Sequence, residues 1–94
     1  QLKGNVNTAK IPLNSKLKIQ AYPNPSASAF NLQLENSSNE KTVVTVTDIL
    51  GKKMMQVNIT GNQVYRFGNE LKPGMYILQV VQGNEVQSIK LVKE

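Results

Sequence analysis

The titratable groups of this chain are six carboxylates, three tyrosines and eleven basic side chains, with no histidine and no cysteine. The acids stand singly, at Glu35, Glu40, Asp48, Glu70, Glu85 and Glu94. Without histidine the chain lacks the usual general base and the commonest metal ligand. Without cysteine it lacks disulfides, thiol nucleophiles and zinc–cysteine sites. Enzyme chemistry is close to excluded on inventory alone, and neither a cofactor nor a metal is expected.

The net charge is +5, which can point to nucleic acid or an anionic membrane. The positive residues are dispersed, however. Lys52 and Lys53 are the only adjacent pair, and Arg66 is the only arginine. The arginine forks and stacking aromatics that read nucleic acid are missing as a set. Solvated lysines on strand faces and turns are the expected reading, with no nucleic-acid partner. No segment reaches the ~20 apolar residues of a membrane span. No signal-peptide pattern opens the sequence, which leaves its compartment open.

The positioning elements read as strands. Residues 1–17 have no sustained period and are expected to form a linker or N-terminal arm, with the domain proper at 18–94. From there, short apolar alternations recur at roughly ten-residue spacing: 17–22, 30–34, 41–48, 54–59, 64–67, 75–81 and 86–92. Polar or glycine-containing stretches at 35–40, 49–53, 60–63 and 68–74 separate them. The Gly83-Asn84 pair between the last two runs is a two-residue hairpin signal, glycine supplying φ > 0. No i, i+3, i+4, i+7 stripe argues for a helix. The expectation is all-β: an immunoglobulin-like β-sandwich of about seven antiparallel strands.

Two stretches are unusual. In Tyr22-Pro23-Asn24-Pro25 the prolines have no N–H for a ladder, and each restricts the residue before it. The stretch is expected to be extended, to end the first strand and to block sheet extension there. Asn24 is expected to start an Asx-turn with the backbone two residues on. The second stretch is Leu71-Lys72-Pro73-Gly74-Met75-Tyr76. A tyrosine two residues past a loop glycine suits the tyrosine corner of immunoglobulin-like sandwiches, its hydroxyl returned to nearby backbone. The alternative is an ordinary turn-then-strand tyrosine.

In order, Y-P-N-P-S at 22–26, Phe30 and Leu32, V-T-V-T-D-I-L-G-K at 44–52, Gly61, L-K-P-G-M-Y at 71–76, Gly83 and K-L-V-K at 90–93 make a pattern. It resembles the type A C-terminal sorting domain of the type IX secretion system of Bacteroidetes, over about residues 18–94. The resemblance implies a seven-stranded immunoglobulin-like sandwich. It also implies a cargo protein N-terminal to it that crosses the inner membrane by an ordinary signal peptide. In the periplasm the domain then marks that cargo for an outer-membrane translocon. At the surface a sortase-like cysteine peptidase typically removes the domain, and the mature protein is commonly attached to an anionic lipopolysaccharide.

Carried over by position, Tyr22, Pro23, Asn24 and Pro25 match the first family motif. Asp48 and Gly51 match the second, and Leu71, Gly74 and Tyr76 the third. Lys90, Val92 and Lys93 belong to the terminal segment, where many members finish on a basic residue and this chain adds Glu94. The first motif has two readings, a rigid strand end or part of a face that the translocon reads. Asp48 and Gly51 also read as a turn carboxylate and a positive-φ glycine. In the terminal strand, Ile89 and Leu91 are expected to dock into the core while Lys90, Lys93 and the chain end are read by the machinery. Processing is expected at or before the 1–17 arm. Edge-strand pairing or strand exchange would permit a dimer. An alternative function is an immunoglobulin- or fibronectin-like accessory module binding carbohydrate or protein.

Overall fold

Alternation with period two decides which side chains meet. Phe30, Leu32 and Leu34 point one way and are at most 1% exposed, while Asn31 and Gln33 between them are only half-buried. Thr42, Val44 and Val46 alternate in the same way in the next strand, and Tyr76, Leu78 and Val80 are the buried set of a later one, with exposed Ile77 and Gln79 between them. A one-residue slip would turn each of these sets to solvent, so the pattern fixes register as well as strand identity.

The computed structural model describes residues 17–35, 40–60 and 63–94. Within them lie seven strands: β1 (Lys18–Tyr22), β2 (Phe30–Glu35), β3 (Thr42–Asp48), β4 (Lys53–Ile59), β5 (Val64–Phe67), β6 (Gly74–Gln82) and β7 (Glu85–Lys93). These ends agree with the sequence-based ones to within about one residue. Strands β1-β2-β5 form one antiparallel sheet and β4-β3-β6-β7 the other. The architecture is the expected all-β one, two sheets closing over a shared core.

That core joins Leu17, just before β1, and Phe30, Leu32, Leu34 and Phe67 of the smaller sheet with Val44, Val46, Tyr76, Leu78, Val80 and Leu91 of the larger. Each fully buried aliphatic or phenyl side chain contributes about 1.5–3 kcal/mol. Phe30 and Phe67 stack at 5.6 Å, and Tyr65 extends the stack at 6.2 Å from Phe67. Leu17, at the edge of the expected arm, is a core residue only 2% exposed. The rest of that arm, residues 1–16, lies outside the described residues, as do 36–39 of the polar loop and Gly61 and Asn62 of the 60–63 turn.

Two local features matter below. Gly83 has φ +56° and closes the β6–β7 hairpin, with Gln82 paired to Glu85, as the Gly-Asn signal requires. A bulge interrupts β3–β4 between Val46 and Thr47: Val46 pairs with Met55 but Thr47 pairs with Lys53, so Met54 is the extra residue.

Candidate functional site

Asn24 answers for the proline-bracketed motif. Its Nδ2 donates to the Lys90 carbonyl at 2.8 Å, and its Oδ1 accepts from the Val92 N–H at 2.9 Å. A carboxamide is chemically a peptide group, and here it takes the place of one. The next bonds along the same edge of β7 are made by backbone: Ser26 N–H to the Val92 carbonyl at 3.0 Å, and Glu94 N–H to the Ser26 carbonyl at 2.8 Å. Ser26 and Lys93 thereby form a parallel bridge. The chain leaves β1 of one sheet at Tyr22 and two residues later caps the outer edge of the other sheet. The donor-acceptor pairing fixes which way the carboxamide points, since a flip would set N–H against N–H.

This differs from the expected Asx-turn. The side chain serves a strand 66–68 residues away rather than the backbone two residues on. Nor is the stretch simply extended: residues 23–25 form bends, and the Tyr22–Pro23 and Asn24–Pro25 peptide bonds are both cis. Ser26 consolidates the corner, its Oγ donating to the Ala29 carbonyl at 2.6 Å and accepting from Ser28 N–H at 3.1 Å.

Lys93 also departs from expectation. Strand parity puts it on the side of Leu91, not of Lys90, and it is only 6% exposed. Its Nζ donates to the carbonyls of Gly68 at 2.7 Å and Asn69 at 3.3 Å, and to that of Ser28. An ammonium has three donors, and all three are used, which is what a charge in this position needs. The head clamps the β1–β2 and β5–β6 connections to the end of β7. Counting from Leu91 would have found this; reading charge as exposure hid it.

The third motif behaves as a tyrosine corner. Tyr76 is 6% exposed, and its hydroxyl donates to the Lys72 carbonyl at 2.6 Å, four residues back. Leu71 is buried, and its N–H bonds to the Gly68 carbonyl at 3.1 Å. Gly68, which sequence reasoning passed over, has φ +88°, and a Cβ there would lie 3.0 Å from the Phe30 ring. In the second motif, Asp48 Oδ1 accepts from the N–H groups of Leu50 at 2.9 Å and Lys52 at 2.8 Å. Gly51 follows at φ +90°. This is the turn that the residue types imply.

The motifs converge. Asp48 is the register partner of Tyr76, Tyr76 of Leu91, and Gly74 of Lys93. Lys93 reaches the β1–β2 and β5–β6 connections. All the motif positions except Lys90, whose carbonyl alone reaches it, therefore cluster within one pole of the sandwich. Lys52, Lys53, Lys72 and Lys90 are exposed on or beside it, as are Tyr22, Pro23 and Pro25. Leu17 marks the other pole. Its N–H bonds to Glu85 Oε1 at 3.2 Å, and its carbonyl accepts from Gln87 Nε2, both at the start of β7. With about 3.4 Å rise per residue, the nine residues of β7 set the poles roughly 30 Å apart.

The family model for the secretion system C-terminal sorting domain matches residues 20–94. The chain belongs to that family, the sorting domains of the type IX system. No curated protein matches the chain. The matched span begins inside β1 and takes in every motif residue named above. The family is one of sorting signals, not an enzyme class, and membership implies export to the cell surface or secretion. In this sorting domain most of the motif residues named above take part in hydrogen bonds that build one pole.

Proposed function

We propose that the chain is the secretion and sorting signal of a cargo protein lying N-terminal to it, and that it directs that cargo from the periplasm across the outer membrane through the type IX translocon. The observation that supports this most is the separation of the two poles. Cargo would be tethered through Leu17, while the pole built from the family motifs faces away and stays open to a recognising surface. The signal is a shape: a β-edge sealed by Asn24 and Ser26, a clamped terminal strand, and exposed lysines beside them.

A sortase-like peptidase acting before Leu17, within or ahead of the 1–16 arm, would free the cargo without cutting into the sandwich. Sequencing the N-terminus of the released fragment tests this, and a cut between residues 30 and 90 refutes it. The domain does no bond-making of its own in this reading. A carbohydrate-binding accessory role has little support from the aromatics, because Phe30, Phe67 and Tyr76 are buried, Tyr65 is half-buried and Tyr22 stands exposed by itself, without an aromatic cluster around it among the described residues.

The test is a fluorescent reporter with a signal peptide, expressed with and without the chain at its C-terminus in a host with the type IX apparatus. Surface fluorescence that depends on the chain supports the proposal. Equal surface fluorescence in both refutes it.

A further inference from the structure

Eight large apolar side chains are exposed among the described residues, and five of them, Ile49, Leu50, Met54, Met75 and Ile77, lie on the outer face of the four-stranded sheet or at the turn and bulge beside it. Met75 and Ile77 lie on the outer face of β6, on the opposite parity to Tyr76 and Leu78. Ile49 leaves β3 one residue past the Asp48–Tyr76 pair and so sits level with Met75, beside Leu50 at the turn tip. Leu50 is 90% exposed and Ile49 68%, on a turn whose shape Asp48 and Gly51 already fix. Nothing in the turn geometry asks for apolar residues there. A small soluble domain rarely concentrates apolar side chains in this way without a partner.

Charge tells what kind of partner. One cross-strand row runs Lys53 on β4, Thr47 on β3, Ile77 on β6 and Lys90 on β7. The bulge brings Lys53 into that row; unbroken pairing would have set Met54 opposite Thr47. The apolar strip is thus flanked by a lysine on each edge strand, with Lys52 at the turn. A second copy stacked face to face on a two-fold axis would set lysine against lysine.

We infer that this face, comprising Ile49, Leu50, Met54, Met75 and Ile77 between Lys53 and Lys90, docks onto an apolar surface rimmed by acidic residues on a protein of the secretion machinery. The inference rests on the sorting function proposed above and assigns it a face. Two methionines give the contact an adaptable surface suited to a component that handles many cargoes. The lysines steer and orient the encounter.

The test uses the whole chain at the C-terminus of the surface reporter. Replacing Ile49, Leu50, Met75 and Ile77 together by serine is expected to lower surface reporter at least about tenfold, the loss of a hot-spot cluster. Lys53→Glu with Lys90→Glu is expected to lower it about as much. Gln20→Ser with Gln33→Ser, on the outer face of the other sheet, leaves it unchanged. Thermal melting of each purified chain checks folding. Should the fourfold variant melt early, the pair Met75→Gln and Ile77→Thr is read in its place. Normal export of folded face variants overturns this inference and leaves the sorting function standing. Failure of the unaltered chain to direct export sinks both. A concentration-dependent dimer that the face variants abolish makes a second copy the occupant, which also overturns it.

Discussion

The side chain of Asn24 accepts a hydrogen bond from the backbone N–H of Val92 at 2.9 Å, across 68 residues of sequence. With its second bond to Lys90 it completes an edge that the neighbouring prolines have no N–H groups to complete. The first motif and the terminal strand are therefore one structure. Asn24→Asp keeps the acceptor, loses the donor and sets a carboxylate against the Lys90 carbonyl, so it is expected to destabilise the domain about as much as Asn24→Ala, by about 1 kcal/mol. Thermal unfolding should report this as a fall of about 4–8 °C in Tm.

Lys93→Met keeps the apolar stem and removes the three donors that hold Ser28, Gly68 and Asn69. A cost of about 1–3 kcal/mol is expected, with Lys93→Arg failing to restore stability because a planar fork does not match three converging carbonyls. Lys90→Ala, at an exposed side chain, should stay within about 0.5 kcal/mol. Denaturant titration separates the three. A Lys93→Met domain as stable as the unaltered one, yet not exported, would mean that the machinery reads the ammonium itself.

Gly68 and Gly51 have nearly equal backbone angles, φ +88° and +90°. Alanine at either position meets the same backbone strain of about 1–3 kcal/mol. Only at Gly68 does the new Cβ also meet packed atoms, Phe30 at 3.0 Å and Leu71 at 3.3 Å, whereas nothing lies within 4 Å at Gly51. Gly68→Ala is therefore expected to be the more destabilising of the two, and equal losses in equilibrium unfolding would count against tight packing under that connection.

Tyr76→Phe deletes the 2.6 Å bond to the Lys72 carbonyl and keeps the buried ring. About 1 kcal/mol should be lost, with the denaturant slope unchanged because the exposed area on unfolding is the same.

The strands were legible because one face of each is buried, and period two is hard to disguise. The Gly83 hairpin and the Tyr76 corner were legible because each is set by residues within a few positions of one another. The Asn24–β7 pairing was not, since a carboxamide offers the same donor and acceptor to a neighbour as to a strand 68 residues away. The burial of Lys93 was hidden for a different reason. Its charge argued for solvent, while its parity with Leu91 argued for the core, and three carbonyls let parity win. Among the candidate residues, Asp48 and Gly51 do what their types suggest, and the Met54 bulge had no local signal.

If the pole joined by Asn24, Ser26 and Lys93 carries the export signal, as proposed, taking away its clamp stops export. The most direct measurement compares surface fluorescence of a signal-peptide reporter carrying the intact chain with that of the same fusion lacking Lys93 and Glu94. The intact fusion is expected to reach the cell exterior and the shortened one to stay inside. Equal fluorescence at the surface would contradict the proposal.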